Sequence, residues 1–299
     1  MGFSLCVLLP ASAAAQASSW QDDLATWRTA HAAELQKPDG WLSLVGLEWL
    51  EPGDNSIGSA PENKIHLAAG IPAHLGVLRL EKEIVTLLPP SEGFPKDLLL
   101  DAAAAKSQAL RVVAEEDKLS EHLTIGTLNM YVIQRGARFA LRIKDSRSPG
   151  ILGFHGLKWY APDDNYLVTA SWTPYKSPKT ITLVTLVDTT YEQPVPGVAE
   201  FSIAGKTYRL EPVLEDPAVS KLFFVLRDTT SASTTYGACR FLYTGFPSNG
   251  LDNPGQLVLD FNRLENPPCA YTPYSACPLP PSGNRLPIPL PVGEQRYHD

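Results

Sequence analysis

The sequence has few cationic residues and no long apolar run. Its 299 residues include 25 Lys and Arg against 32 Asp and Glu, which gives a formal net charge of −7. Nucleic-acid binding needs clustered cations that replace the phosphate counterions, so this scattered acidic surface argues against a nucleic-acid partner. No stretch of the sequence approaches the roughly 20 consecutive apolar residues that a helix needs to cross a bilayer, so no transmembrane segment is predicted.

Proline, by contrast, is abundant. The chain has 27 prolines, and 44% of its residues are hydrophobic, which is ample for a globular core and excludes wholesale disorder. Nine of the prolines fall between Pro267 and Pro291, in a stretch that also holds Tyr271 and Tyr274. A disordered linker would lack aromatic residues, so residues 266–294 are predicted to form an ordered, extended segment, here called the strap.

The N-terminal 17 residues have the pattern of a secretory signal peptide. A short apolar core at residues 3–9 is followed by small residues and by Ala15-Gln16-Ala17. This pattern predicts cleavage after Ala17 and export of the mature chain to the periplasm or the medium. A basic residue near the start is missing, and the alternative is a frayed apolar terminus.

Cysteine is scarce, and removal of the signal leaves Cys239, Cys269 and Cys277. In an oxidising compartment the short loop between Cys269 and Cys277 favours a disulfide, with two reduced, buried thiols as the alternative. Cys239 is interpreted as a core thiol on a strand. A zinc site that combines the three cysteines with His298 is disfavoured because structural zinc sites show close ligand pairs. No metal and no cofactor are predicted.

One amphipathic helix is predicted near the N-terminus. Ser19 is its expected cap, and Pro38-Asp39-Gly40 should end it. Residues at helical spacing form a single stripe that would pack against a sheet. They are Trp20, Leu24, Trp27, His31 and Leu35.

After Gly40 the hydrophobic period changes to two, which predicts strands. The clearest segments are residues 84–87, 130–133, 139–143, 181–187, 200–203, 206–210, 222–226 and 257–259. Without alternating helices, the expected fold is mainly β: an antiparallel sandwich or barrel with one N-terminal amphipathic helix and the proline-rich strap. Two regions are predicted, a helix plus small β-sandwich at residues 18–115 and a barrel-like region with the strap at residues 116–299.

Three blocks of sequence resemble the domain-of-unknown-function family 1684. They are WLSLVGLEWL at residues 41–50, RDTT at residues 227–230, and LDFNR with NPPCAYTPY at residues 259–263 and 266–274. The resemblance extends over essentially the whole mature chain. It implies a β-rich protein, often exported in bacteria, with no agreed activity and therefore no catalytic residues to transfer. Cys239 stands where the family more usually has glycine.

Residues 53–90 also resemble, more weakly, the strand spacing of a forkhead-associated β-sandwich. The residues with which such domains bind phosphopeptides are absent, since Ser59 stands where an arginine is expected. The resemblance therefore implies sandwich geometry without phosphothreonine binding.

Common catalytic motifs such as a nucleophile elbow, a Walker loop or a zinc-protease helix are absent. The candidate catalytic residues are Asp228 and Asp260, each of which follows a buried-strand pattern at the point where polar side chains can border a pocket. The candidate ligand-binding residues lie near them in sequence: Arg240, Asn262, Arg263, Asn266, Asn284, Arg285 and Glu294.

Two interpretations of these residues stay open. Two carboxylates beside arginines could perform acid–base chemistry, which predicts an exported protein with a polar pocket that binds or hydrolyses a small organic ligand. Alternatively, the same side chains satisfy backbone groups of the strap in a non-catalytic envelope binding or scaffolding module. The structural role is favoured for Asp260, Asn262 and Asn266, whereas the two roles are balanced for Asp228.

Overall fold

The computed structural model describes residues 11–68, 70–114 and 120–298. The apolar core of the predicted signal peptide lies outside these residues. Helix α1 runs over Ala11–Leu35. Leu24 and Leu35 are buried, and Trp20, Trp27 and His31 are half-buried on the same stripe, as predicted. The helix starts before Ser19, so the expected cap is wrong: the alanine-rich residues before it have high helix propensity and continue the helix.

Twelve described strands follow between residues 44 and 145. They are β1 (Leu44–Trp49), β2 (Gly53–Gly58), β3 (Ile65–His66), β4 (Gly76–Glu81), β5 (Ile84–Leu88), β6 (Leu99–Leu100), β7 (Ala103–Ala104), β8 (Gln108–Ala109), β9 (Val113–Ala114), β10 (Leu123–Ile125), β11 (Leu128–Arg135) and β12 (Arg138–Asp145). They form a seven-stranded sheet, in the order β1-β12-β11-β10-β6-β7 with β9 beside β11, and a five-stranded sheet in the order β3-β2-β4-β5-β8.

The two sheets share one hydrophobic core. Leu78 and Leu87 from the five-stranded sheet pack in the same cluster as Leu123 and Leu141 from the seven-stranded sheet. Strands on both sides of the predicted boundary at residues 115/116 pair in the seven-stranded sheet. The division of the chain into two regions stays a prediction.

The remaining strands follow the short helix α2 (Pro149–Leu152). They are β13 (Leu167–Val184), β14 (Thr190–Ile203), β15 (Lys206–Leu210), β16 (Lys221–Leu226), β17 (Arg240–Gly245) and β18 (Gly255–Asp260). Four form an antiparallel sheet in the order β15-β14-β13-β18, and β16 pairs with β17. The predicted antiparallel β fold is confirmed, as sandwich-like sheets; among the described residues no sheet closes into a barrel.

The strap is ordered, as predicted, and adds no strand of its own. Leu286, Leu290 and Val292 are buried in the core beside β13 and β18. Isolated bridges join strap residues to the rest of the protein, for example Arg285 to Arg227 and Glu294 to Trp159. Since few of its amides join a ladder, the strap depends on side chains for its remaining hydrogen bonds.

Among the helices in the described ranges, none is long and apolar enough to span a membrane.

Candidate functional site

Asp228 is sealed in a buried ion pair. Its Oδ2 lies 3.1 Å from Nη1 of Arg240, and neither side chain has exposed area. Its Oδ1 accepts hydrogen bonds from the amides of Thr230 at 2.9 Å and Leu290 at 3.1 Å. Asp228 thereby caps the short 3₁₀ helix Thr229–Ala232, which explains why an aspartate follows the buried strand β16.

Arg240 attaches the strap to the core. Its guanidinium donates to the carbonyl oxygens of Leu290, at 3.0 Å, and Val292. The Leu290 carbonyl also accepts from the Val292 amide at 2.8 Å, and Arg240 adds side-chain hydrogen bonds to both strap carbonyls. This geometry favours the structural interpretation of Asp228 and Arg240.

Two asparagines hold backbone segments through both ends of their amides. Oδ1 of Asn262 accepts from the amide of Asp163, and Nδ2 donates to its carbonyl, both at 2.9 Å. Asn284 does the same with Glu211, at 2.9 and 2.8 Å, and also donates to Val225. These side chains are 0% and 1% exposed, and their contacts are those of structural clamps.

Asp260 and Arg263 lie beneath helix α1. Oδ2 of Asp260 accepts a hydrogen bond from Nε1 of Trp20 at 3.0 Å, while Arg263 contacts Asp23 on the same helix. Asp260 also caps the 3₁₀ helix Phe261–Arg263. Arg285 is exposed at a shallow surface depression beside β15. The predicted site residues are therefore spread over several places.

A cavity with a volume of about 1430 Å³ lies elsewhere. It is bordered by one face of β11 and β12, the C-terminal half of α1, and the first part of the strap. Of the nine predicted site residues, Asn266 lines this cavity, and Glu294 adjoins it through hydrogen bonds to Asn266.

A histidine between two carboxylates stands at the wall of the cavity. Nδ1 of His31 lies 3.4 Å from Oε2 of Glu265, and Nε2 lies 3.5 Å from Oε2 of Glu294. Both His31 and Glu265 line the cavity, and the Glu265 side chain retains 18% exposed area. This cluster can hold and move protons next to a bound molecule.

Burial tunes the protonation of the cluster. It raises the pKa of Glu265 to about 7, against the opposing effect of His31. Burial alone would lower the pKa of His31, but its contact with Glu294 and the charges of Glu265 and Glu294 raise it above its ordinary value. A carboxyl group with a pKa near neutrality can serve as either acid or base at physiological pH.

Surrounding side chains fix the cluster in place. Glu294 accepts from the amide of Asn266 at 2.8 Å and from the hydroxyl of Tyr271 at 2.6 Å. Trp27 stacks on the His31 ring at a centroid distance of 5.5 Å, and Trp159 meets its face edge-on at 5.9 Å. Trp27 and Trp159 also contact each other, with their centroids 5.5 Å apart, so the three rings form one aromatic cluster that restrains His31.

Sequence reasoning placed His31 on the packing stripe of α1 and did not consider Glu265. The pairing joins helix α1 to a loop far along the chain, and no local pattern predicts it. Sequence reasoning also missed the cavity wall formed by β11 and β12, although the sequence contains a pattern that indicates it. On β12, Arg142 and Lys144 alternate with the core residues Leu141 and Ile143, so a cationic face on a buried strand could have been noticed.

The predicted disulfide is not formed. Cys239, Cys269 and Cys277 are all free thiols, and Sγ of Cys277 accepts a hydrogen bond from the Cys269 amide at 3.2 Å. The Cys269 thiol contacts both other thiols instead of bonding to one, and its hydrogen bond with Cys239 raises its pKa to about 12. In the part of the chain that the structure describes, no group of three His, Cys, Asp or Glu side chains is arranged to hold a metal ion.

The fold is that of a β-rich protein whose C-terminal strap packs against the hydrophobic core beside β13 and β18. Residues 152–295 match the family model described as "Protein of unknown function (DUF1684)", which confirms the resemblance seen in the sequence. The match includes the blocks at residues 227–230 and 259–274 but not the block at residues 41–50. The resemblance is thus shown over a shorter part of the chain than expected.

The solved structures include a similar protein of unknown role. The solution NMR structure of an uncharacterized protein of Haloarcula marismortui is 28% identical in sequence, and the match covers 49% of this chain and 80% of that one, with a TM-score of 0.42. No curated protein matches the chain.

Proposed function

We propose that the cavity binds a small organic ligand and that His31 and Glu265 exchange protons with it. The observation that carries this proposal is the contact between His31 and Glu265, 3.4 Å apart on the cavity wall. Hydrolysis needs a base that takes a proton from water and an acid that returns one to the leaving group. Glu265, with a pKa of about 7, and His31 supply such a pair at neutral pH.

Glu294 acts on this pair from outside the lining of the cavity. Glu294 is held by Asn266 and Tyr271 and keeps its acceptor oxygen against Nε2 of His31. A fixed carboxylate in this position orients the imidazole and favours its protonated form. Glu294 and Asn266 are therefore positioning residues.

The test compares wild-type protein with His31→Gln and Glu265→Gln on a panel of chromogenic carboxylic and phosphoric esters. We expect turnover in the wild type and a loss of about 100-fold or more in each variant, the usual contribution of a general acid or base. His74→Gln is the matched control, since His74 is a more exposed histidine that also faces a carboxylate, Glu62. Equal turnover in wild type and His31→Gln, or no turnover of any ester, would contradict the proposal.

We further propose that the chain is exported and cleaved after Ala17. The signal-like pattern of the first 17 residues supports this, and the mature helix would retain Trp20, whose indole donates to Asp260. Mass spectrometry of protein from the periplasm or medium should show a chain that starts at Ser18. Full-length protein recovered from the cytosol alone would oppose export.

A second candidate function is a non-catalytic envelope scaffold. Its support is the buried network around Asp228 and Arg240, in which both oxygens of the candidate catalytic carboxylate are engaged by protein groups that hold the strap. The two functions differ in what His31 does, because a scaffold without turnover gains nothing from a proton-transfer pair. Normal stability with lost turnover in His31→Gln supports the enzyme, whereas the absence of any turnover favours the scaffold.

A further inference from the structure

The wall of the cavity formed by β11 and β12 is cationic. Tyr131 is paired with Arg142, and Asn129 with Lys144, in the antiparallel register of the two strands. Side chains at directly opposed positions and at alternate positions share one face of a sheet. All four residues line the cavity, whereas the intervening Ile143 faces the hydrophobic core.

Arg142 is deeply buried for an arginine. It is 1% exposed, and its Nε has no hydrogen-bond partner. Its Nη1 donates weakly to the Tyr131 hydroxyl at 3.5 Å. Its guanidinium lies 5.5 Å from the ring centroid of Trp41 and 5.9 Å from that of Tyr131. Contact with aromatic rings offsets only part of the cost of removing this cation from water.

Arg142 and Lys144 form no ion pair with a carboxylate in the part of the chain that the structure describes. Nζ of Lys144 donates to the backbone carbonyl of Asp39. Acidic residues that line the same cavity, such as Glu34 and Glu192, are exposed to solvent. An uncompensated buried charge destabilises the folded protein, and a bound anion would offset that cost.

We propose that Arg142 and Lys144 bind an oxyanion, a carboxylate or phosphate group, of the molecule that enters the cavity. The guanidinium presents planar paired donors that match the oxygens of such a group, and the ammonium adds a second charge at the next position on the same face. This inference rests on the proposed function, because it assumes that the cavity binds an organic ligand and adds that the ligand carries an oxyanion. His31 and Glu265 line the same cavity, so an anion held on this wall would share the cavity with the proposed acid–base pair.

The test measures oxyanion binding directly. The probes are sodium phosphate and sodium acetate, each compared with sodium chloride at equal ionic strength, by thermal unfolding and titration calorimetry. We expect phosphate or acetate to raise the Tm of the wild type above its value in chloride. Arg142→Met combined with Lys144→Gln should weaken binding at least 10-fold. Arg147→Gln combined with Lys206→Gln, at two exposed positions, is the charge-matched control and should bind as the wild type does.

Should the Arg142→Met variant fail to fold, Arg142→Lys and Lys144→Gln singly provide the same comparison, because each removes the paired donors or one charge with less disturbance. Equal Tm values in all three salts, or undiminished binding by the Arg142 and Lys144 variants, would overturn the anion site. His31→Gln and Glu265→Gln test the other proposal. Phosphate binding without turnover of any ester supports the anion site and contradicts the acid–base function. Ester turnover that is unaffected by Arg142→Lys supports the acid–base function and contradicts the anion site.

Discussion

The indole of Trp20 donates a hydrogen bond to the carboxylate of Asp260 at 3.0 Å, across 240 positions of the chain. One oxygen of a candidate catalytic aspartate is thereby engaged by the N-terminal helix, and Arg263 approaches the same oxygen at 3.4 Å. The other oxygen accepts from the amide and side chain of Asn262. Asp260 joins helix α1 to the end of β18 and has little capacity left for a ligand.

Removal of the indole donor should loosen the helix. Trp20→Phe keeps an aromatic ring but deletes the hydrogen bond to a charged acceptor, so we expect the free energy of unfolding to fall by about 1.5–3 kcal/mol. Urea denaturation measures this change. Thr26→Ala, at an exposed position of the same helix, serves as the control. A Trp20→Phe protein as stable as the wild type would show that this contact does not hold the helix.

Breaking the buried ion pair should destabilise the protein strongly. Asp228→Asn leaves Arg240 buried without its counter-charge, and loss of one partner of such a pair costs about 3–5 kcal/mol. Chemical denaturation of Asp228→Asn and of Asp252→Asn, an exposed aspartate, provides the comparison. If Asp228→Asn unfolds like the wild type but loses turnover, Asp228 is catalytic and the structural interpretation is incorrect.

The His31 cluster predicts a dependence of stability on pH. Glu265 and His31 both have folded-state pKa values above their ordinary ones, so each stabilises the folded state when protonated. The Glu265 contribution is complete below its ordinary pKa of 4.5 and is lost as the pH rises through about 7. The His31 contribution is complete below 6.5 and is lost as the pH rises through its raised pKa.

We therefore expect the Tm to decrease between pH 5 and pH 8 and the slope to be shallower in Glu265→Gln. The charges of Glu294 and Lys221 also act on Glu265, and both residues are retained in Glu265→Gln and in the control Glu92→Gln. Glu92→Gln, an exposed position, should leave the slope as in the wild type. An unchanged slope in Glu265→Gln would mean that this carboxyl does not titrate in the predicted range.

The three thiols should be unreactive in the folded protein. Burial raises the pKa of Cys277, and contact with Cys239 raises that of Cys269 to about 12, so little of either thiolate is present at pH 7.5. Cys239 is fully buried and out of reach of a reagent. We expect slow reaction with a thiol reagent under native conditions and prompt reaction of Cys239, Cys269 and Cys277 in denaturant. Detection of one remaining free thiol in the denatured mature chain would instead indicate the Cys269–Cys277 disulfide.

Local sequence patterns predicted much of the fold but few of the residues at the candidate site. The stripe from Trp20 to Leu35 predicted the buried face of α1, and alternation predicted the paired strands around residues 130–133 and 139–143. Proline and aromatic content together predicted an ordered strap. These features follow from short-range periodicity and backbone geometry, which a single sequence displays directly.

The site depends on contacts that periodicity does not encode. Asp228 and Asp260 were singled out because they end buried strands, and in the structure that position makes them caps of 3₁₀ helices. The proximity of His31 to Glu265 arises only when α1 packs against the loop after β18. Arg142 was accessible to sequence reasoning, since an arginine between Leu141 and Ile143 already indicates a strand with one polar face.

Helix α1 is held from two places late in the chain: Glu294 of the strap contacts His31, and Asp260 at the end of β18 holds Trp20. Contacts between opposite ends of a chain form late, because the entropy of closing a long loop must be met before the contact stabilises anything. The contact between His31 and Glu294 therefore cannot form on a nascent chain that has not yet reached residue 294. The proton transfer proposed above would then be confined to chains in which helix α1 and the strap have already met.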